Sequence, residues 1–236
     1  MRFLLSNDDG IDSEYLRLLA AAAQRYGEVF IVAPDGQRSA SSHCFTYYSP
    51  LRAEEYDYKM KGVRTYSCSG TPADCVRLGI LSLMDERPDF VLAGINKGYN
   101  IGADIQYSGT VGAVLEASFQ GVRGIALSMG SNGDPRLIEA YIDEALTYCM
   151  NQEHRKHQIY NVNFPECSPE ECKGILTGRT LAIDDFYKDG YTLEVTDDGK
   201  HLYHIDMRRN WKGSEGTDLQ AVTDNYVSIG TVNNIS

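Results

Sequence analysis

Apolar residues fall along this chain in two alternating rhythms. Short, almost continuous apolar runs at Arg2 to Ser6, Glu28 to Ala33, Asp89 to Gly94, Gly124 to Met129 and Gln158 to Phe164 have the length and character of buried strands. Longer stretches between them repeat with helical spacing. Ser13 to Tyr26 places Leu16, Leu19, Ala20 and Ala23 on one face, with Gly27 as its stop. Gly70-Thr71-Pro72-Ala73-Asp74 opens another helix, with Thr71 as cap, Pro72 in the first turn and Asp74 near the positive dipole end; Val76, Ile80 and Leu83 form its buried side. Thr110 to Gln120 and Pro135 to Met150 complete the helical set. Strands alternating with amphipathic helices predict an α/β protein of three layers, a mostly parallel sheet covered on both faces, with Gln158 to Phe164 closing the sheet.

After about residue 165 the rhythm changes. Cys167, Pro169 and Cys172 lie in a loop, and period-two alternation follows at Tyr191 to Val195 and at His201 to Ile205, joined across Asp197-Asp198-Gly199. This predicts a β-hairpin arm. A two-stranded ribbon is marginal alone, so the arm is expected to fold back over the sheet or to reach a neighbouring subunit, and an oligomer is expected, with homodimer and homotetramer both open. Leu219 to Ile235 carries a last strand or pinned tail around Tyr226-Val227-Ser228-Ile229. The 236 residues thus form a single domain, 1–165 as the α/β core and 166–236 as arm and C-terminal segment.

Composition narrows the function. A net charge of -11 without any local Lys/Arg cluster argues against a grip on duplex nucleic acid. The six cysteines include no Cys-x-x-Cys pair and are expected to be reduced. No charged-then-apolar leader and no apolar run of membrane-spanning length are present, which predicts a soluble, cytoplasmic protein without membrane partners.

The chemistry concentrates at strand ends. The first strand stops at Asn7-Asp8-Asp9-Gly10, two adjacent carboxylates where open α/β sheets bind ligands. The Asp197-Asp198-Gly199 copy lies between alternating strands and is only a turn. The second strand runs into Arg38-Ser39-Ala40-Ser41-Ser42, and the third into Asn96-Lys97-Gly98-Tyr99-Asn100. Carboxylates, a hydroxyl and an amide carbonyl are hard ligands, suited to Mg²⁺ or Mn²⁺ rather than zinc. Tyr107-Ser108-Gly109-Thr110-Val111, a turn of small residues opening a helix, supplies backbone N–H groups for a phosphate.

Five blocks in order, Ser6-Asn7-Asp8-Asp9-Gly10, Val32-Ala33-Pro34 with Arg38-Ser39-Ala40-Ser41, Gly70-Thr71-Pro72 with Asp74-Cys75, Gly94-Ile95-Asn96 with Gly98, Asn100 and Gly102, and Tyr107-Ser108-Gly109-Thr110-Val111, resemble SurE, the stationary-phase survival protein family. The resemblance spans roughly residues 1–130, with weaker similarity at Gly216 to Ala221 and Tyr226 to Ile229. It implies a Rossmann-like doubly wound core, swapped C-terminal elements, and a phosphatase acting on nucleoside 5′- and 3′-monophosphates and sometimes on short polyphosphate. It also implies one divalent ion per subunit, whose ligands fall on Asp8, Asp9, Ser39 and Asn96. The chain departs from the family at His43, where asparagine is common, at Lys97, where a small residue is common, and at Gly230-Thr231-Val232 in place of Thr-Pro-Leu.

These readings combine into a mechanism. Asp8, Asp9 and Asn96 form the catalytic centre around the ion, while Asn100, Ser108, Gly109 and Thr110 receive phosphate oxygens and His43 lies at the site's mouth. His43 is a candidate proton donor. Attack by Asp8 itself is the competing route, although adjacent acids suit shared metal binding better. A non-catalytic nucleotide sensor is the alternative function, and a glycosidase is disfavoured because its carboxylates stand farther apart.

Overall fold

The computed structural model describes residues 1–153, 155–183 and 186–234. Its centre is a nine-stranded sheet. Strands β1 (Arg2–Ser6), β2 (Glu28–Pro34), β3 (Ala53–Glu55), β4 (Arg64–Cys68), β5 (Phe90–Lys97), β6 (Arg123–Met129), β7 (Gln158–Phe164), β8 (Ile175–Arg179) and β11 (Val227–Asn233) lie in the order β3-β4-β2-β1-β5-β6-β7-β11-β8. The six strands from β4 to β7 are mutually parallel. Their order reverses between β1 and β5, the doubly wound arrangement with its switch point beside β1.

Alternation along β1 sets the two layers. Phe3 and Leu5 face α1 (Glu14–Gln24) and α4 (Pro135–Asn151), whereas Leu4 faces α2 (Pro72–Leu78) and α3 (Gly109–Phe119). Each face therefore buries its own cluster, and fully buried Leu, Ile and Val side chains of the central strands are each worth about 1.5–3 kcal/mol relative to exposure. Buried on both faces, these strands carry the near-continuous apolar runs that made them visible in the sequence.

Several expectations need correction. Strand β7 does not close the sheet, because β11 pairs with it antiparallel and β8 adds beyond β11. Strands β3 and β4 were not anticipated. Arg64-Thr65-Tyr66-Ser67-Cys68 near the sheet edge mixes polar and apolar letters without a clean period, so its sequence lacks the signature of its central neighbours. The helix from Pro72 ends at Leu78 and continues only as a wide turn, Gly79–Leu83, leaving Leu83 partly buried. Gly27 is a stop for a reason other than a left-handed cap: a side chain there would meet the Met1 carbonyl oxygen at 2.0 Å.

The arm is present and longer than expected. β9 (Tyr187–Val195) and β10 (His201–Arg209) form a separate antiparallel ribbon, in register from Tyr187–Arg209 to Val195–His201. Asp197-Asp198-Gly199 is its turn, with Gly199 at φ 79°. Short helix α5 (Asp218–Thr223), capped by the Thr217 side chain, leads into β11. The expected last segment extends to Ile235, which lies outside the described residues. All six cysteines are free thiols.

Candidate active site

The turn after β1 is built from its own side chains. Asn7 Nδ2 donates to the Gly10 carbonyl at 2.9 Å, folding the backbone so that Asp8 and Asp9 sit at the tip of the strand. Gly10 adopts φ 101°, and a side chain there would press on the Gly36 backbone at 3.1 Å. Glycine thereby lets the turns after β1 and β2 meet. The Arg38 N–H donates to the Asp8 carbonyl at 2.7 Å, which brings the next residue, Ser39, to the same rim.

Strand β5 delivers the third component. Its ladder to β6 shifts register between Ala93 and Asn96, where Gly94 at φ 131° approaches the Leu127 carbonyl too closely for any side chain. The irregularity re-aims the strand end. Asn96 Nδ2 donates to the Gly98 carbonyl at 2.9 Å, and the Lys97 backbone N–H donates to the Asp9 carboxylate. Asn96 therefore precedes the residue bonded to Asp9, as Ser39 follows the one bonded to Asp8; the Ser39 side chain itself is exposed, its hydroxyl accepting from Gln37 Nε2 at 3.1 Å.

Helix α3 points its N-terminus at this pair. Thr110 Oγ1 donates to Asp8 Oδ1 at 2.6 Å, and the Thr110 N–H also reaches the Asp8 carboxyl. Ser108 caps the helix by accepting from the Val111 N–H at 3.0 Å. A side chain at Gly109 would meet Ser41 Oγ at 2.6 Å and Asp8 Cβ at 3.1 Å. The residue before the first full turn is glycine because the strand-end acids and the serine loop close over it.

Burial holds both acids above the ordinary aspartate range. Burial raises the Asp8 carboxyl from 3.8 to about 6, against the hydrogen bond from Thr110, and the Asp9 charge raises it further. Burial also raises Asp9, opposed by the backbone N–H and charge of Lys97. Among the described residues, Ser41 Oγ and Asn7 Oδ1 are buried without hydrogen-bond partners. Among the described residues, no three His, Cys, Asp or Glu side chains converge on a cation position. A metal here would need neutral oxygen donors beside the two acids, and a hydroxyl such as that of Ser39 or an amide oxygen such as that of Asn96 is of that kind.

Two expected phosphate contacts are otherwise engaged. Asn100 is buried, its side chain donating to Ser128 Oγ at 2.7 Å and its carbonyl accepting from Asn161 and Asn163. His43 turns away from the rim, its Nε2 2.9 Å from Glu116 Oε2. Glu116 was missed by sequence reasoning; its only signal was a lone acid within the otherwise small and apolar Gly109–Phe119.

A family model described as Survival protein SurE matches residues 3–184. This chain belongs to the SurE family. A protein named 5′-nucleotidase SurE from Clostridium botulinum is 35% identical over 233 residues, covering 97% of this chain and 91% of the relative. Its namesake from Carboxydothermus hydrogenoformans is 37% identical over 241 residues, covering 98% and 90%. The crystal structure of the SurE protein from Aquifex aeolicus matches the fold with a TM-score of 0.83 at 35% identity, over 100% of this chain and 94% of that one. SurE relatives thus align with this chain through the arm and the C-terminal strand, well beyond the five blocks.

Proposed function

We propose that this SurE chain is a 5′-nucleotidase, a phosphoric monoester hydrolase acting on nucleoside monophosphates, and that its hydrolysis depends on Mg²⁺ or Mn²⁺. The observation that carries the reading is the contact between a buried acid pair and a helix N-terminus: Thr110 Oγ1 on Asp8 at 2.6 Å, with Gly109 beneath the Asp8 side chain. A phosphate ester bound there meets the positive end of α3, while paired carboxylates hold a cation against it. The names of the relatives support the same substrate class.

Asp8, Asp9, Ser39 and Asn96 would hold one divalent ion. With its amide nitrogen engaged by Gly98, Asn96 offers its carbonyl oxygen. When bound, the ion supplies charge neutralisation at the phosphoryl group and acidifies a coordinated water. The protein's own part is positioning. Thr110 orients the Asp8 carboxylate, the turn at Ser108-Gly109-Thr110 seats phosphoryl oxygens, and the buried floor of Asn100, Ser128 and Asn163 fixes the loop between β5 and α3. Little covalent chemistry is then needed.

The finer substrate range extends this reading to nucleoside 3′-monophosphates and short polyphosphate, since the contacts proposed here address the phosphoryl group rather than the sugar or base. The active form is a homodimer or homotetramer in which the β9–β10 ribbon packs on another copy. Tyr191, Leu193, Tyr203 and Ile205 are exposed on that ribbon, which supports the idea. Among the described residues, no helix is long and apolar enough to cross a membrane.

The test is phosphate release from a panel of nucleoside 5′- and 3′-monophosphates with Mg²⁺, with Mn²⁺, and with EDTA. Release with either metal and none with EDTA is expected. Tight nucleotide binding without release under any condition would replace the enzyme by a sensor. Rapid quench is expected to trap no phosphoenzyme; recovery of labelled Asp8 would replace water attack by covalent catalysis.

A further inference from the structure

The segment that carries Ser39 makes a tight excursion held at several points. Arg38 is tied to the Asp8 carbonyl, the Ser42 N–H donates to the Tyr107 carbonyl at 3.1 Å, and Ser42 Oγ donates to the Gln106 carbonyl at 2.6 Å. Thr71 Oγ1 donates to the Cys44 carbonyl at 2.5 Å. Between these points Ala40 and Ser42 have φ of 56° and 54°, a left-handed conformation that residues with side chains keep only under constraint. Ala40 follows Ser39 directly, so the hydroxyl's position depends on that strained turn.

One buried charge stands behind the turn. Glu116 lies on α3 two helical turns below Gly109, with its side chain only 5% exposed. Its Oε2 meets His43 Nε2 at 2.9 Å, while its Oε1 accepts from Arg77 at 2.9 Å and from Gln120 at 2.7 Å. Burial pushes this carboxyl up, but the hydrogen bonds from His43, Gln120 and Arg77 outweigh it, so the group is held below the ordinary glutamate range. The His43 Cα lies where a side chain at Gly112 would be, 3.0 Å from that position, so the loop rests directly on α3. Loop, α2 and α3 therefore meet on one carboxylate.

We propose that Glu116 is a positioning residue: through His43 it clamps residues 38–44 onto α3, so that Ser39 is presented to Asp8 and Asp9 and the phosphate-seating end of the same helix stays in register with them. The proposal rests on the metal-dependent nucleotidase reading for its catalytic consequence, but not for the clamp itself. Gln120 serves as an internal control, because it bonds the same carboxylate from α3's own end and, among the described residues, makes no hydrogen bond to residues 38–44. Arg77 holds the carboxylate from α2 and fixes where His43 must come. Removing His43 leaves Glu116 buried with two partners and takes away the loop's tie to it, while the bonds at Arg38, Ser42 and Cys44 remain; removing the charge at Glu116 weakens the ties on both sides.

The experiment uses the full chain and the variants H43A, H43Q, E116Q and Q120A. Mn²⁺ alone is titrated calorimetrically, kcat and KM are measured on AMP with Mn²⁺, and amide hydrogen exchange of residues 38–44 is followed in EDTA. H43A and E116Q are expected to weaken Mn²⁺ binding and lower kcat by about tenfold, the scale on which outer-shell partners act at metal sites. The effect on KM should be smaller, and exchange at Ser42 should be faster. H43Q, whose amide nitrogen can donate to Glu116 as the ring nitrogen does, restores most of both losses, and Q120A stays within twofold of the parent.

Unchanged Ser42 exchange in H43A would overturn the clamp whatever the enzyme does. Equal effects of Q120A and H43A on Mn²⁺ affinity would also overturn it, reducing Glu116 to a general structural role. A parent chain that releases no phosphate would instead defeat the nucleotidase reading, with the exchange data still deciding the clamp.

Discussion

Replacing Asp8 by asparagine should make the metal-free protein more stable while abolishing its turnover. The carboxyl is raised from 3.8 to about 6, chiefly by burial, so at neutral pH the folded state holds a charge that the unfolded chain would solvate better. About two pH units at ~1.36 kcal/mol each give a cost near 3 kcal/mol. Asparagine keeps the shape, and its Oδ1 can still accept from Thr110, so that cost is removed with the hydrogen bond retained. For a chain of this size each kcal/mol moves Tm by roughly 2–4 °C, so D8N should melt roughly 6–12 °C above the parent in EDTA at about pH 8.

The sign fixes the pH window. An acid whose pKa is raised by folding imposes no penalty below its unfolded value, because it is protonated in both states. The penalty grows between about 4 and 6 and is complete above that range. The gap between D8N and the parent should therefore be small near pH 4 and full by about pH 7. Adding Mn²⁺ should raise the Tm of the parent but not of D8N, since only a state that binds the ion is stabilised by it. Thermal unfolding by circular dichroism across that range is the assay. A D8N protein no more stable than the parent at about pH 8, or a gap that does not close toward pH 4, would refute the account of Asp8 as a buried charge.

D198N should leave phosphate release within about twofold of the parent, because Asp198 is part of the turn of an exposed ribbon; a large loss would mean the second Asp-Asp-Gly has a role that its hairpin position does not explain. D218A should destabilise by about 2–4 kcal/mol in urea unfolding, since the buried carboxylate accepts from the N–H groups of Gly102, Ala182 and Leu219 and its loss leaves donors unmet; a change below about 1 kcal/mol would contradict this. G94A should fail to accumulate as folded protein, because its Cβ would lie 2.2 Å from the Leu127 carbonyl oxygen in a conformation alanine avoids; normal yield and Tm would show that β5 can straighten.

The legible parts of this fold were those whose burial is uniform. Arg2 to Ser6 and Asp89 to Gly94 could be read as strands because both faces are covered, and the acids after the first strand could be read as a candidate site because a strand end at a switch point is where loops converge. Strand β4 could not, since Thr65 and Cys68 are buried while Arg64 is exposed and Tyr66 and Ser67 are half-buried, a pattern with no clean period. His43 carried the right neighbourhood and the wrong direction. Its partner lies 73 residues away, and nothing in the local sequence says whether a ring faces the rim or a helix behind it. The same distance hid Glu116, whose burial depends on α2 and the serine loop closing over it.

The hydrogen bond from Gly102 N–H to Asp218 spans 116 residues and sets an order of events during synthesis. A nascent chain released as far as β7 already holds Asp8, Ser39, Asn96 and all of α3. The loop joining β5 to α3 then has Asn161 and Asn163 on Asn100 but not yet Asp218 on Gly102, and the outer edge of β7 has no strand to pair with until β11 emerges. The acid pair is therefore made early and its surroundings are locked late. On the ribosome this protein should remain protease-sensitive around residues 102–107 until α5 has docked, which limited proteolysis of stalled chains would read.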